Sequence, residues 1–62
     1  MVMCKDGTTV ATMGNIIHVS NGEMYTFSGG MLIGPSGFVS MNVSSISEAA
    51  GIVIGLHGGR KL

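Results

Sequence analysis

The chain of 62 residues is long enough for one small domain, taken as residues 1–62, and its net formal charge of zero comes from Lys5, Asp6, Glu23, Glu48, Arg60 and Lys61. Charged residues make up 10% of it against a typical ~25%, so it has no basic stripe to neutralise phosphates, which excludes a duplex nucleic-acid binder. Cys4 is the only cysteine, so no internal disulfide can form; with His18 and His57 it falls short of a four-ligand zinc set, and no metal or cofactor is expected.

The first residues, MVMCKDG, reach Lys5 and Asp6 before any long apolar region, which argues against a secretory signal. Together with the single thiol, this points to a reducing, cytoplasmic setting. The most apolar run, residues 49–56, is shorter than the ~20 residues a spanning helix needs, so no membrane partner is expected.

Turn signals then recur almost regularly: Asp6-Gly7, Gly14-Asn15, Asn21-Gly22, Gly29-Gly30 and Gly34-Pro35-Ser36-Gly37. Such dipeptides supply the positive φ angles of tight hairpins. The segments between them, such as TTVATM, IIHVS and FVSMNV, are rich in β-branched and aromatic residues. An antiparallel meander is expected, with strands near residues 2–5, 8–13, 16–20, 23–28, 31–34 and 38–43.

The stretch across the fourth and fifth turns runs Gly29, four residues, then Gly34-Pro35-Ser36, which matches a phosphate-binding loop except for its lysine. A strand-like segment follows where that loop requires a helix. The stretch is therefore read as a turn, with Pro35 and Gly37 in favoured type I positions.

If every dipeptide makes a two-residue turn, Ser20 opposes Glu23, Val19 opposes Met24 and His18 opposes Tyr25. One face then collects Met3, Val10, Ile17, Val19, Met24 and Ile33; the other collects Cys4, Met13, His18, Tyr25, Phe27 and Leu32. Neither face is polar, so both need cover. A closed barrel and the C-terminal segment supply part of it, and further copies of the chain supply the rest, so a homo-oligomer is expected. A bulge in any strand would exchange the faces beyond it.

The last third has two readings. Ser45 and Glu48 fit a capping box, and Ile46, Ala49, Ala50 and Val53 have helical spacing. Gly51, Gly55 and the β-branched run Ile52-Val53-Ile54 oppose a long helix. The preferred fold is all-β: a meander closing into a barrel or sandwich, with a short helical turn near 45–50 and a strand at 52–57. That order resembles small SH3-like barrels, an architectural likeness that carries no function. The alternative is a β-meander plus a C-terminal helix at 46–57, in which Gly51, Gly55 and Gly59 form a smooth strip for helix contact.

Candidate chemistry is sparse. Cys4 and His18 share an expected face, but one thiol without an oxyanion site is better read as a small buried residue, and no enzyme is expected. His18 and Tyr25 could line a pocket for a flat ligand, or satisfy one another in the core. In HGGRKL, His57, Arg60 and Lys61 could close over a phosphate or carboxylate, against the plainer reading of a frayed end. Met3, Met13, Met24, Met31 and Met41 are either core filler or an adaptable protein-binding surface.

The function expected is that of a small, non-enzymatic, homo-oligomeric binding protein. Its ligand would be a small anion, a nucleotide being one candidate, held by His18, Tyr25, His57, Arg60 and Lys61. The alternative is a protein inhibitor or adaptor that uses an apolar sheet face.

Overall fold

Glycine-bearing turns fold the first two thirds of the chain into one sheet. The structure, a computed structural model, describes residues 1–61. In chain order the elements are β1 (Val2–Met3), β2 (Thr9–Met13), β3 (Ile16–Val19), β4 (Met24–Ser28), β5 (Met31–Gly34), β6 (Gly37–Ser40) and α1 (Ile46–Leu56). The strands form a six-stranded antiparallel sheet in the order β1-β2-β3-β4-β5-β6. The expected meander is therefore present. The sheet is open, with β1 and β6 at opposite ends rather than paired in a barrel.

The hairpins divide by where glycine sits. Gly14 and Gly29 come first in their dipeptides, with φ of 60° and 56°. Those loops hold two residues, pairing Met13 with Ile16 and Ser28 with Met31 as expected.

In Asp6-Gly7 and Asn21-Gly22 the glycine comes second, and the loops hold three residues. Gly22 N donates to Val19 O at 3.0 Å, and Val19 N donates to Glu23 O at 3.0 Å. Gly7 and Cys4 repeat the arrangement: Gly7 N donates to Cys4 O at 3.1 Å and Cys4 N to Thr8 O at 2.8 Å. This is a type I turn closed by a glycine bulge. The residue before each glycine explains the choice. Asp6 Oδ1 accepts from Thr8 N, and Asn21 Oδ1 accepts from Glu23 N, both at 3.0 Å. Each side chain thus captures an N–H that a two-residue turn would have used in the ladder.

One extra loop residue shifts register by one and turns every later side chain over. Ile17, not His18, faces Tyr25, and His18 faces Met24. Two such shifts move β1, β4 and β5 relative to β2 and β3. They gather Val10, Ile17, Val19, Tyr25 and Leu32 on one face and the strand methionines, with Ile16, Ile33 and Phe38, on the other.

The inner face packs beneath α1. Cys4, Val10, Ile17, Val19, Tyr25 and Leu32 are buried there with Val43, Ala49 and Val53. A bulge between Leu32 and Ile33 leaves Val39 as the extra residue of β6, and Val39 packs against this core.

The strand expected at 52–57 does not form; residues 46–56 are one helix, as in the alternative reading. Ser45 Oγ accepts from Glu48 N at 3.3 Å, the first half of the expected capping box. The spacing of Ile46, Ala49, Ala50 and Val53 turns them to the sheet, and Ala49 and Val53 are fully buried. Each helical glycine costs ~1 kcal/mol relative to alanine, while burying a valine-sized side chain contributes ~1.5–3 kcal/mol. Packing therefore outweighs propensity here.

The chain's last described residues are tied to β1. Lys61 N donates to Met3 O at 2.8 Å, and Lys5 N donates to Gly59 O at 2.9 Å. Cys4 and Arg60 form an antiparallel bridge. The frayed end read from the sequence is thus paired backbone through Lys61, which also covers the outer edge of β1.

Candidate functional site: a methionine-bearing outer sheet face and a histidine clasp

Alternation along the strands places Met3, Met13, Met24 and Met31 on the outer face, together with Ile16, His18, Thr26, Ile33 and Phe38. Met13 is 71% exposed and Phe38 59%. The helix packs on the opposite side, and among the described residues no further element lies over this face. None of the six formal charges lies on strands β2 to β6 of this face: Lys5 and Asp6 are in the β1–β2 loop, Glu23 precedes β4 on the inner side, Glu48 is on α1, and Arg60 pairs with inward-facing Cys4, while Lys61, opposite Met3, is at the β1 rim.

At one end of the sheet, three distant segments meet at His57, the C-cap residue of α1. Its Nδ1 lies 2.6 Å from Asp6 Oδ2, and its Nε2 lies 2.9 Å from Glu23 Oε1. Both ring nitrogens can donate only in the imidazolium. The bond to Asp6, helped by the bond to Glu23 and both negative charges, holds the His57 pKa above its ordinary value despite partial desolvation. Asp6 is pulled down to about 2, first by the hydroxyl and backbone N–H of Thr8 and then by His57. Glu23 is lowered chiefly by His57. Tyr25 Oη donates to Glu23 Oε1 at 3.1 Å; its pKa is raised, first by burial and then by that carboxylate.

The imidazole sits between the two carboxylates, so their donors do not converge on one point. Among the described residues no group of three or more histidine, cysteine, aspartate or glutamate side chains is arranged to hold a metal ion.

A groove of about 280 Å³ lies between α1 and the β1–β2 end of the sheet. Val2, Val10, Ile46 and Ala50 supply apolar walls, and Ser47 and Arg60 supply polar ones.

No protein-family model, curated protein or solved structure matches the chain. The site therefore has to be read from its own chemistry.

The five residues singled out from the sequence do not assemble into one pocket. His18 is half-buried on the outer face, while Tyr25 is buried on the inner one. The expected His18–Tyr25 pair is absent because of the one-residue shift at Asn21-Gly22. The same kind of shift in the first hairpin separates Cys4 from His18. Tyr25 and His57 do meet, through Glu23. Arg60 lines the groove, and Lys61 lies beside Met3 at the sheet edge.

Sequence reasoning missed Asp6 and Glu23 as partners of His57. The available signal was the pair of segments CKDGT and VSNGE, whose shared Asx-Gly pattern sets similar loops at the same end of the sheet.

Among the described residues no helix is long and apolar enough to cross a membrane.

Proposed function

We propose that this chain is a small, non-enzymatic association protein whose outer sheet face is its working surface. The observation that carries this reading is the placement of Met3, Met13, Met24 and Met31 on one exposed face with no formal charge on its central strands. Flexible, polarisable thioethers repack against different surfaces, which suits them to an adaptable contact. Two side chains with nucleophilic or acid–base potential are otherwise engaged: Cys4 is buried beneath α1, and His57 is held by two carboxylates.

Capture of a small anion remains a second reading, supported by Arg60 at the groove, whose side chain makes no ion pair among the described residues. Arg60→Ala should abolish phosphate or nucleotide binding while leaving association through the sheet intact.

The main reading is tested with a photo-crosslinking residue placed at Thr26, in the middle of the outer face, or at Gly55 on the exposed side of α1. Discrete adducts from Thr26 in cells that make the protein, and none from Gly55, are expected. Equal labelling from both positions, or none from Thr26, would overturn it.

A further inference from the structure

We infer that the occupant of the outer face is a second copy of this chain, packed sheet to sheet about a two-fold axis near Thr26 and His18. The inference rests on the reading of that face as an association surface and adds the partner.

Charge supplies the first argument. Partners of a different kind are usually selected by complementary charges, which steer encounter and suppress wrong pairs. The strands at the centre of this face offer none, and Lys61 lies beside Met3 at the β1 rim. Two copies can therefore meet through its centre without like-charge repulsion. A two-fold contact uses one patch on both partners, so the patch must complement itself; a surface uncharged at its centre and studded with adaptable methionines does so readily.

Shape supplies the second. An antiparallel sheet buries its face well against another sheet ~10 Å away, with the strands about 30° out of line. The strand order places β3 and β4 in the middle, so the outer residues of these strands, His18 and Thr26 among them, fall at the centre of such a contact. The helix lies on the far side of each copy and leaves the approach open. The complex would have four layers: helix, sheet, sheet, helix.

Area supplies the third. Strands ~4.8 Å apart, with four or five residues each at ~3.3 Å, give a flat footprint of roughly 400 Å². The relief of the exposed side chains raises the accessible area toward the ~800 Å² per partner of a stable pair. The contact lies at the small end of that range. A reversible dimer with a Kd on the order of 10 μM is expected.

The test is light scattering after size exclusion, with native mass spectrometry, on the full chain and two variants. Thr26→Lys sets a cation against its symmetry mate at the centre of the contact. Thr26 is exposed and outside the core, so the fold should survive, which far-UV circular dichroism checks. Gly55→Lys places the same charge on the open side of α1, where an added Cβ meets nothing within 4 Å.

The expected result is a wild-type dimer, weakened ~100-fold or more by Thr26→Lys and unchanged by Gly55→Lys. A dimer lost in Gly55→Lys but kept in Thr26→Lys would move the contact to the helix and overturn the inference. A wild-type monomer persisting at ~1 mM, a hundred times the expected Kd, would also overturn it. That last outcome leaves the broader reading standing if Thr26 still crosslinks to one protein of another mass, and removes both if it does not.

Discussion

His57 Nδ1 lies 2.6 Å from Asp6 Oδ2, closing a contact between residues 51 positions apart. The second ring nitrogen reaches Glu23, so one side chain fastens the end of α1 to the β1–β2 and β3–β4 loops. The imidazole is only 10% exposed, whereas Asp6 is open enough for solvent and salt to screen the pair.

Stability should accordingly depend on pH with a definite sign. His57 is raised on folding, so its contribution is complete below its ordinary value of 6.5 and is lost as pH rises through the folded value. Asp6 and Glu23 are lowered, so theirs are present above their ordinary values of 3.8 and 4.5 and are lost as pH falls through the folded values, about 2 for Asp6. The thermal midpoint should therefore peak between 4.5 and 6.5 and fall on the alkaline side as the imidazolium is lost. His57→Ala should lower the midpoint within that window and flatten the alkaline fall. A wild-type midpoint that does not change from about pH 6 to about pH 9 would contradict the charged clasp.

Gly34 is the position in the sheet least able to accept a side chain. An added Cβ would lie 2.8 Å from Val39 Cγ2 and 2.9 Å from Tyr25 Cε2. The obstacle is steric, since Gly34 is not among the residues of positive φ. Gly34→Ala should destabilise the fold by ~1–3 kcal/mol, the usual cost of overpacking a filled core, read from the urea midpoint at unchanged slope.

The meander was legible because turn glycines and β-branched segments alternate along the chain, and the strand positions follow from them. The faces were less legible. Two-residue and three-residue loops draw on the same residue types, and the difference lies in whether an Asp or Asn stands before the glycine to accept from the N–H two residues on. Gly14-Asn15 and Gly29-Gly30 keep the simple register, whereas Asp6-Gly7 and Asn21-Gly22 add a residue. The His18–Tyr25 site was lost to the second of these shifts. The clasp was harder still, because nothing local in the sequence relates His57 to Asp6. In the last third, Ser45 and the spacing of Ala49 and Val53 pointed to the helix, and the glycines and β-branched residues pointed away from it. Burial against the sheet decided the outcome.

That competition yields a direct prediction for Gly51 and Gly55. Both lie within α1, and a Cβ on either meets nothing within 4 Å. Replacing each with alanine should stabilise the protein by ~0.5–1 kcal/mol, because alanine loses less backbone entropy on entering a helix. The double variant should raise the urea midpoint roughly additively. A loss of stability would mean that the glycines serve a contact with another chain or that residues 51–55 are not helical.

Cys4 provides a reporter on how the C-terminal segment is held. Its side chain is fully buried, and its neighbour Lys5 donates to Gly59 O at 2.9 Å. A thiol reagent can reach the sulfur only when this corner opens, so the labelling rate measures a local opening equilibrium rather than surface reactivity. His57→Ala releases the end of α1 from both loops and should raise the labelling rate of Cys4 at one fixed pH. Thr26→Lys acts on the opposite sheet face and should leave that rate nearly unchanged in the monomer. Equal acceleration by both variants would mean that Cys4 is exposed only by global unfolding, and that the clasp is not what closes this corner.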